Sequence, residues 1–551
     1  MNQSTRFKVK MIGIQARIGA IMSQHTLLLI VVAGLLIRII LMPITAHPYD
    51  VYAWYTLSMD SLKNPTVYVY NFPPLWYNYM MLPIAHAYSL LSQVFPTGTI
   101  PMASLPSALN FYPSMGVDYV PGMLFNTIVK IPFLLSDILL TLLLYKTLME
   151  FTKNKGLAEK ASLLWFLNPF VIWISAGWGM WDTMPALFSL ASFYLIQKKR
   201  ITLSAISLSL GVASKLYPAL FIVPIAFYIL KSKSYDEKYK SSLKYFLAFL
   251  VTSTLLFLPY FGIISSFFSS YFMTNPASST LDSVTNPLGF GLTYWSLYSL
   301  NRLVNLPISA ELVTIVSVGS IMLVFVSLML VYWRISKITF NKQPFDLALV
   351  MVLPVLALLL SYRIIPEQWF IWALPFLIVL YVGKQVKGIY FWGASFIALL
   401  YAILNCPLPF FFLPLAPWHT NTLLGMVHAF WEIDFHRILL LAILGLAFSI
   451  IIIIILLRLL RCQSPNGKEV TQTPKKGLIR SHTYILSRHT RRTLKEKAMV
   501  KKAWKVDFTS VSLSSTQFYE HRLIHEHTLF FRKLHALDRN SVHQVIAITI
   551  S

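Results

Sequence analysis

Long apolar runs, separated by knots of lysine and arginine, are the strongest constraint on what this chain can fold into. The first, HTLLLIVVAGLLIRIILMPI at residues 25–44, can cross a bilayer core, which takes about 20 apolar residues. It has no small-residue cleavage site and follows a basic leader, residues 1–24, with Arg6, Lys8, Lys10 and Arg17. It therefore reads as a retained first span with the leader inside. Composition agrees. Only 12% of the 551 residues are charged, against about 25% in soluble domains, and 56% are hydrophobic.

Orientation follows from where the cations fall. Residues 46–120 hold one lysine and no arginine, so they read as a long external loop, 45–121. Within it, YNYMMLPIAHAYSLLSQVF is read as a surface or re-entrant segment. If it spanned, the arginine-free stretch after it would lie inside. FNTIVKIPFLLSDILLTLLLYKTLMEF then crosses inward to Lys146, Lys153, Lys155 and Lys160. A hairpin, 161–177 and 180–197, turns outside at GWGMWD and returns to Lys198, Lys199 and Arg200. Residues 201–230 form two arms broken at SKLYP. Each arm is about 14 residues, or roughly 21 Å, short of the roughly 30 Å core. Two half-embedded helices would carry Lys215 toward the outer face. Spans at 241–262, 309–333, 345–362, 367–383, 388–405 and the final RILLLAILGLAFSIIIIIILLRLL follow, with external loops at 263–308 and 406–436. The expected fold is an all-α polytopic membrane protein: a membrane domain over 25–460, about 12 transmembrane helices and both termini inside.

The tail, 461–551, holds 17 Lys+Arg against 6 Asp+Glu and 7 of the chain's 13 histidines. Its weak apolar periodicity reads as a disordered basic cytoplasmic extension drawn to anionic lipid. The net charge of +25 therefore belongs to topology and membrane lipid, and nucleic acid is not an expected partner. Two cysteines, Cys406 and Cys462, exclude a disulfide framework.

Charges inside a membrane are costly and face a cavity or a partner. Asp50, Lys130, Asp182, Lys215, Arg363 and Glu367 all map to the outer half, with Asp137 deeper. Each has a structural reading. Lys130 and Asp137, seven residues apart, suit a packing ion pair. Asp182 suits a helix N-cap, with Pro185 in the first turn. Arg363 suits an interfacial snorkelling residue. Asp50, flanked by Tyr49, Tyr52, Trp54 and Tyr55, suits either an interface belt or sugar stacking. Together, an external carboxylate, buried cations and aromatic loops match glycosyl transfer from a lipid-phosphate sugar. The phosphate needs cations, and the acceptor hydroxyl needs a base within reach.

Five stretches carry a resemblance: YD…YVYNFPPLW, KIPFLLSDILL, NPFVIWISAGWGMWD, GVASKLYPALFIVP and EQWFIWALPF. In this order, over about residues 45–380, the chain resembles the GT-C superfamily of polyprenyl-phosphate-sugar-dependent glycosyltransferases. It is most similar to relatives of GPI mannosyltransferase I and the multi-spanning prokaryotic and archaeal hexosyltransferases. The resemblance implies a first-loop aspartate as general base, often within an Asp-x-Asp motif. Only Asp50 matches, because Pro48 and Tyr52 flank it at that spacing. No cofactor is expected to be required, since a divalent metal normally takes two or more oxygen ligands. Trp181 stands before Asp182 where the family more often has a small polar residue.

The expected chemistry is a direct inverting displacement. Asp50 deprotonates the acceptor. Lys215, with Arg363 or Lys130, holds the donor phosphate. Asp182 and Glu367 orient the sugars, and Tyr52, Trp54, Tyr70 and Trp76 shape the acceptor site. The expected donor is a polyprenyl- or dolichyl-phosphate sugar, with mannose as the family-level sugar. The acceptor is a glycan or glycolipid, and a partner subunit stays open. The site faces the endoplasmic-reticulum lumen or a prokaryotic cell exterior. Two other readings remain. A transporter or flippase of lipid-linked sugars predicts matching broken helices in two halves, and only the break at 201–230 is seen. A non-catalytic subunit of a glycosylation complex predicts that Asp50→Asn is harmless.

Overall fold

The computed structural model describes residues 25–63, 74–95, 98–109, 117–260, 288–304, 308–341 and 344–461. Tyr70, most of the loop 263–308 and the tail lie outside the described residues. Almost all described elements are helical, as the repeated apolar runs require. Six helices are long and apolar enough to cross a membrane. They are α1 (Thr26–Ile44), α4 (Met123–Thr152), α9 (Lys238–Phe257), α10 (Ala310–Ile335), α13 (Gly388–Asn405) and α15 (Asp434–Arg461). A seventh pass forms if α5 (Lys155–Phe166) and the helical run Pro169–Trp178, bent by 44°, are counted as one.

The other expected passes are shorter. They are α6 (Thr183–Gln197), α7 (Ile201–Ser214), α8 (Ile222–Lys231), α11 (Phe345–Ser361) and α12 (Leu374–Val382). The stretch between α1 and α4 contains α2 (Pro48–Lys63), a π-helical turn at Leu75–Met80 and α3 (Met81–Ser92). This segment is not among the helices of spanning length and composition.

Local chemistry sets the boundaries. Thr45 ends α1, its hydroxyl donating back to Leu41 O at 2.8 Å. Pro48 opens α2 at a position where a missing N–H costs nothing. Asn154 caps α5 by accepting from the Leu157 amide at 3.1 Å. Asn168 does the same for the Phe170 amide at 3.0 Å, with Pro169 at the first helical position. Pro218, just after Lys215, keeps α7 from running on into α8.

Packing sorts the helices into a centre and a rim. Nearly every residue of α11 and α12 is buried. A helix apolar all round belongs in such a place. By contrast, α9 and α10 expose their apolar side chains on most sides, including Leu255, Ile315 and Met329. In a membrane protein these surfaces face lipid.

One buried charge pair joins three elements. Arg38 of α1, fully buried, donates to Asp137 of α4 at 2.9 Å and to Phe166 O at 2.8 Å. Ser175 donates to the same carboxylate oxygen at 2.6 Å. Gly34 makes room, because a Cβ there would lie 2.4 Å from the Phe166 ring. Asp137 thus pairs across helices, where the sequence suggested Lys130 on its own helix.

Two short strand pairs tie loops at one end. Ile100–Pro101 pairs antiparallel with Tyr119–Val120, and Phe290–Gly291 pairs parallel with Ile364–Ile365. Gly291 has φ +105°, and a Cβ there would meet Ile365 O at 2.0 Å. Beside the main core sits a small second one. Met102, Leu109, Val117 and Val120 of the first loop meet Phe410, Leu413, Leu423 and Val427 of the last. Leu423 and Val427 belong to α14 (Ala416–Glu432).

Arg38→Leu leaves Asp137 buried without its cation, so we expect a loss of roughly 3–5 kcal/mol. Thermal unfolding in detergent checks this. The double change Arg38→Leu with Asp137→Leu should recover most of the loss, and equal loss in both proteins would contradict the pairing.

Candidate active site

The site is built upward from Lys130. This side chain is fully buried. Its ammonium donates to Ala176 O at 2.8 Å, Met42 O at 3.1 Å and Gly177 O at 3.3 Å, and to Thr45 O. These are carbonyls at the ends of α1 and of the π-helical turn Trp173–Trp178. Helix C-termini present unsatisfied carbonyls and partial negative charge, which a buried cation neutralises. Gly179 follows with φ +90°, and a Cβ there would lie 2.7 Å from Lys130 Cε. The three ammonium protons are therefore shared among main-chain oxygens. In this arrangement Lys130 is a fastener beneath the site, corrected from the expected phosphate ligand.

The fastened ends carry His47 and Trp178. The His47 amide donates to Trp178 O at 3.1 Å, and the Ala46 amide to Phe411 O at 2.8 Å. The His47 and Trp178 rings stack with centroids 4.6 Å apart and planes within 4°. Asp50 lies in the first turn of α2, where the helix dipole favours a carboxylate. Its Oδ2 accepts from Trp178 Nε1 at 2.7 Å and lies 3.1 Å from His47 Nδ1. That nitrogen is also 3.2 Å from the Asp50 amide. With a proton on Nδ1 the ring donates to the carboxylate, and without one that nitrogen accepts from the amide.

Burial works against charge on His47, but the Asp50 carboxylate and the Cys406 sulfur outweigh it and hold the ring up to about 10. Burial likewise pushes the Asp50 carboxyl up, and is outweighed by His47, the Trp178 hydrogen bond and the Lys215 charge, which hold it below its ordinary value. The pair is therefore read as ionic. The Asp50 side chain remains 24% exposed.

The second half of the site is the pair Lys215–Asp182. Lys215 caps α7 in extended conformation and donates to Asp182 Oδ1 at 2.8 Å. Its ammonium lies over the rings of Trp181, at 4.8 Å, and Trp372, at 5.3 Å. Trp372 Nε1 donates to the same Asp182 oxygen at 2.6 Å. Asp182 holds the N-cap position of α6 but makes no capping hydrogen bond. Its fully buried carboxylate serves Lys215 and Trp372 instead, and its Oδ2 has no hydrogen-bond partner among the described residues.

Trp372 continues into a stack of rings. Tyr217 lies 4.2 Å to one side and Trp369 4.4 Å to the other, with Tyr362 5.9 Å beyond. Arg363 and Glu367 sit on this segment, each 2% exposed. Glu367 accepts from Asn405 Nδ2 at 2.6 Å.

The structure thus gathers Asp50, Asp182 and Lys215, and places Arg363 and Glu367 on the adjoining wall. Trp54 and Trp76 are corrected from the acceptor site to the core. They are 2% and 0% exposed and pack against each other, Trp181 and Phe133. Tyr52 stays partly exposed, its hydroxyl 3.3 Å from Asp118 Oδ2. His47 and Arg38 were not singled out in the sequence. The spacing in HPYD, a histidine one helical turn before the carboxylate, was the available signal for His47. Among the described residues no group of three His, Cys, Asp or Glu side chains is arranged to hold a metal ion.

The ionic reading has a definite pH signature. Stability from the raised His47 is fully present below its ordinary 6.5 and lost as pH rises through about 10. Stability from the lowered Asp50 is present above its ordinary 3.8 and lost as pH falls through its depressed value. The gap in thermal midpoint between wild type and Asp50→Asn should be widest between those limits and close toward pH 10. A gap independent of pH would contradict the charged pair.

Comparison with known proteins places this geometry. Residues 107–290, about a third of the chain, match the family model described as GPI transamidase subunit PIG-U. Asp182 and Lys215 lie in that stretch. A protein named GPI mannosyltransferase 1 from Dictyostelium discoideum is 25% identical over 291 residues, covering 48% of this chain and 63% of that one. Proteins of the same name from Candida albicans and Saccharomyces cerevisiae are 33% and 32% identical over 104 and 108 residues. Those matches cover 18% and 19% of this chain and 25% of each relative, so in all three cases under two thirds of the relative is spanned. The chain is similar to multi-spanning GPI mannosyltransferases of the GT-C type, and to PIG-U through the stretch that carries the Lys215–Asp182 pair.

Proposed function

We propose that this chain is an integral-membrane glycosyltransferase that moves a hexose, mannose by its relatives' name, from a polyprenyl-phosphate donor to a glycan or glycolipid acceptor. The observation that carries the reading is a partly exposed carboxylate, Asp50, beside a buried Lys215–Asp182 pair at one end of a lipid-embedded bundle. The site would face the lumen of the endoplasmic reticulum or the exterior of a prokaryotic cell. Asp50 takes the proton of the acceptor hydroxyl. The freed oxygen attacks the sugar's anomeric carbon, the bond from that carbon to the phosphate oxygen breaks, and configuration inverts. The electron pair leaves with the polyprenyl phosphate, whose charge Lys215 and Arg363 balance. Asp182 and Glu367 act through what they hold, Lys215 and Asn405. This scheme needs no metal ion as ligand to either carboxylate.

The match to a transamidase subunit supports a second reading, in which the fold serves as a non-catalytic subunit that binds a lipid-linked glycan. One experiment separates the two. Purified protein receives radiolabelled polyprenyl-phosphate mannose or glucose and a lipid extract as acceptor, with and without EDTA. Removing a general base costs about 10²–10⁴ in rate, so Asp50→Asn should lower transfer by that range. Transfer should persist in EDTA. Equal transfer by Asp50→Asn and wild type would remove Asp50 from the chemistry, and folded proteins that transfer nothing would favour the subunit reading.

A further inference from the structure

We propose that His47 is a positioning residue for Asp50, holding one carboxylate oxygen so that the other faces the acceptor hydroxyl. The inference rests on the transferase reading above. Two donors converge on Asp50 Oδ2: Trp178 Nε1 at 2.7 Å and His47 Nδ1 at 3.1 Å. Oδ1 has no hydrogen-bond partner among the described residues. A carboxylate held at one oxygen and open at the other is fixed in rotation and still able to accept a proton.

The holder is itself held. The His47 ring stacks on Trp178 at 4.6 Å and meets Phe411 edge-on at 5.6 Å, and those two rings lie 5.3 Å from each other, so the three form one cluster. The His47 amide is tied to Trp178 O at 3.1 Å. Those contacts come from two separate parts of the chain, so the ring cannot swing without breaking its packing on Trp178 and Phe411. The titratable groups that bear on the pair are the Cys406 thiol beside His47, the Tyr49 phenol beside Asp50, the Lys215 ammonium and the Asp182 carboxylate, whose charge opposes that of Asp50. Cys406 and Lys215 both act in the direction of an ionic pair.

A positioning role separates from a merely structural one by its pH dependence. Without the His47 charge, Asp50 becomes a stronger base that protonates at higher pH. His47→Ala should therefore move the acid limb of the rate–pH profile upward and lower kcat, with KM little changed. His47→Asn restores an N–H donor without the charge. It should recover most of kcat while leaving the acid limb displaced.

A second readout needs no turnover. The Trp178 emission, taken as wild type minus Trp178→Phe, is quenched by a stacked imidazolium. It should rise with a midpoint near about 10 in the wild type and at lower pH in Asp50→Asn. Equal midpoints in those two proteins would overturn the pairing. An acid limb unmoved in His47→Ala would overturn the positioning role. A shifted midpoint in a protein that transfers no sugar under any condition would sink the transferase reading and the positioning role of His47 with it, while leaving the ion pair intact.

Discussion

The joint between the end of α1 and the turn Trp173–Trp178 hangs on one ammonium group. Lys130 sits inside a membrane bundle without an anionic partner among the described residues, a state that an isolated charge would not tolerate. It is tolerated because main-chain carbonyls replace water around it. Those carbonyls belong to two chain segments that both end there, so solvation of the lysine and attachment of the segments are one event. The chain after α1 then passes Trp178, to whose carbonyl the His47 amide donates, and Asp50 follows within one helical turn.

The other buried charges obey the same economy with side-chain partners. Arg38 and Asp137 join α1 to α4, and Lys215 and Asp182 join the end of α7 to the start of α6. Such pairs contribute little net stability over apolar packing, since desolvation consumes most of the attraction. Their value lies in register, because a helix that slides by one turn strands a charge. Lys215–Asp182 differs from Arg38–Asp137. The Lys215 side chain keeps 15% exposure and an aromatic surround, whereas both side chains of the other pair are fully buried.

Much of this was legible in the sequence, and what was not has definite causes. Alternating cation clusters gave the order of helices, the hairpin that turns at GWGMWD and the break at Lys215, all of which the structure contains. Gathering Asp50, Asp182 and Lys215 at one end followed from the same rule. The place of Lys130 did not, because its acceptors are backbone oxygens, which every residue carries and no motif marks. Trp54 and Trp76 were ambiguous for a related reason. Tryptophan serves equally in a core and on a sugar platform, and only tertiary packing decides. Arg38 lay unnoticed inside an otherwise ideal apolar run, its partner 99 residues away.

The small outer core has a bearing on how such proteins can change. It interlocks residues 102–120 with 410–427, and the same late stretch supplies Phe411 to the His47 ring and its carbonyl to Ala46. This patch beside His47 is thus made from two distant stretches of the sequence at once. A chimera that exchanges only one of these loops with a relative would carry a mismatched small core. Exchanging them as a pair keeps their shared packing intact, which makes the two stretches one unit of inheritance although some 290 residues of chain separate them.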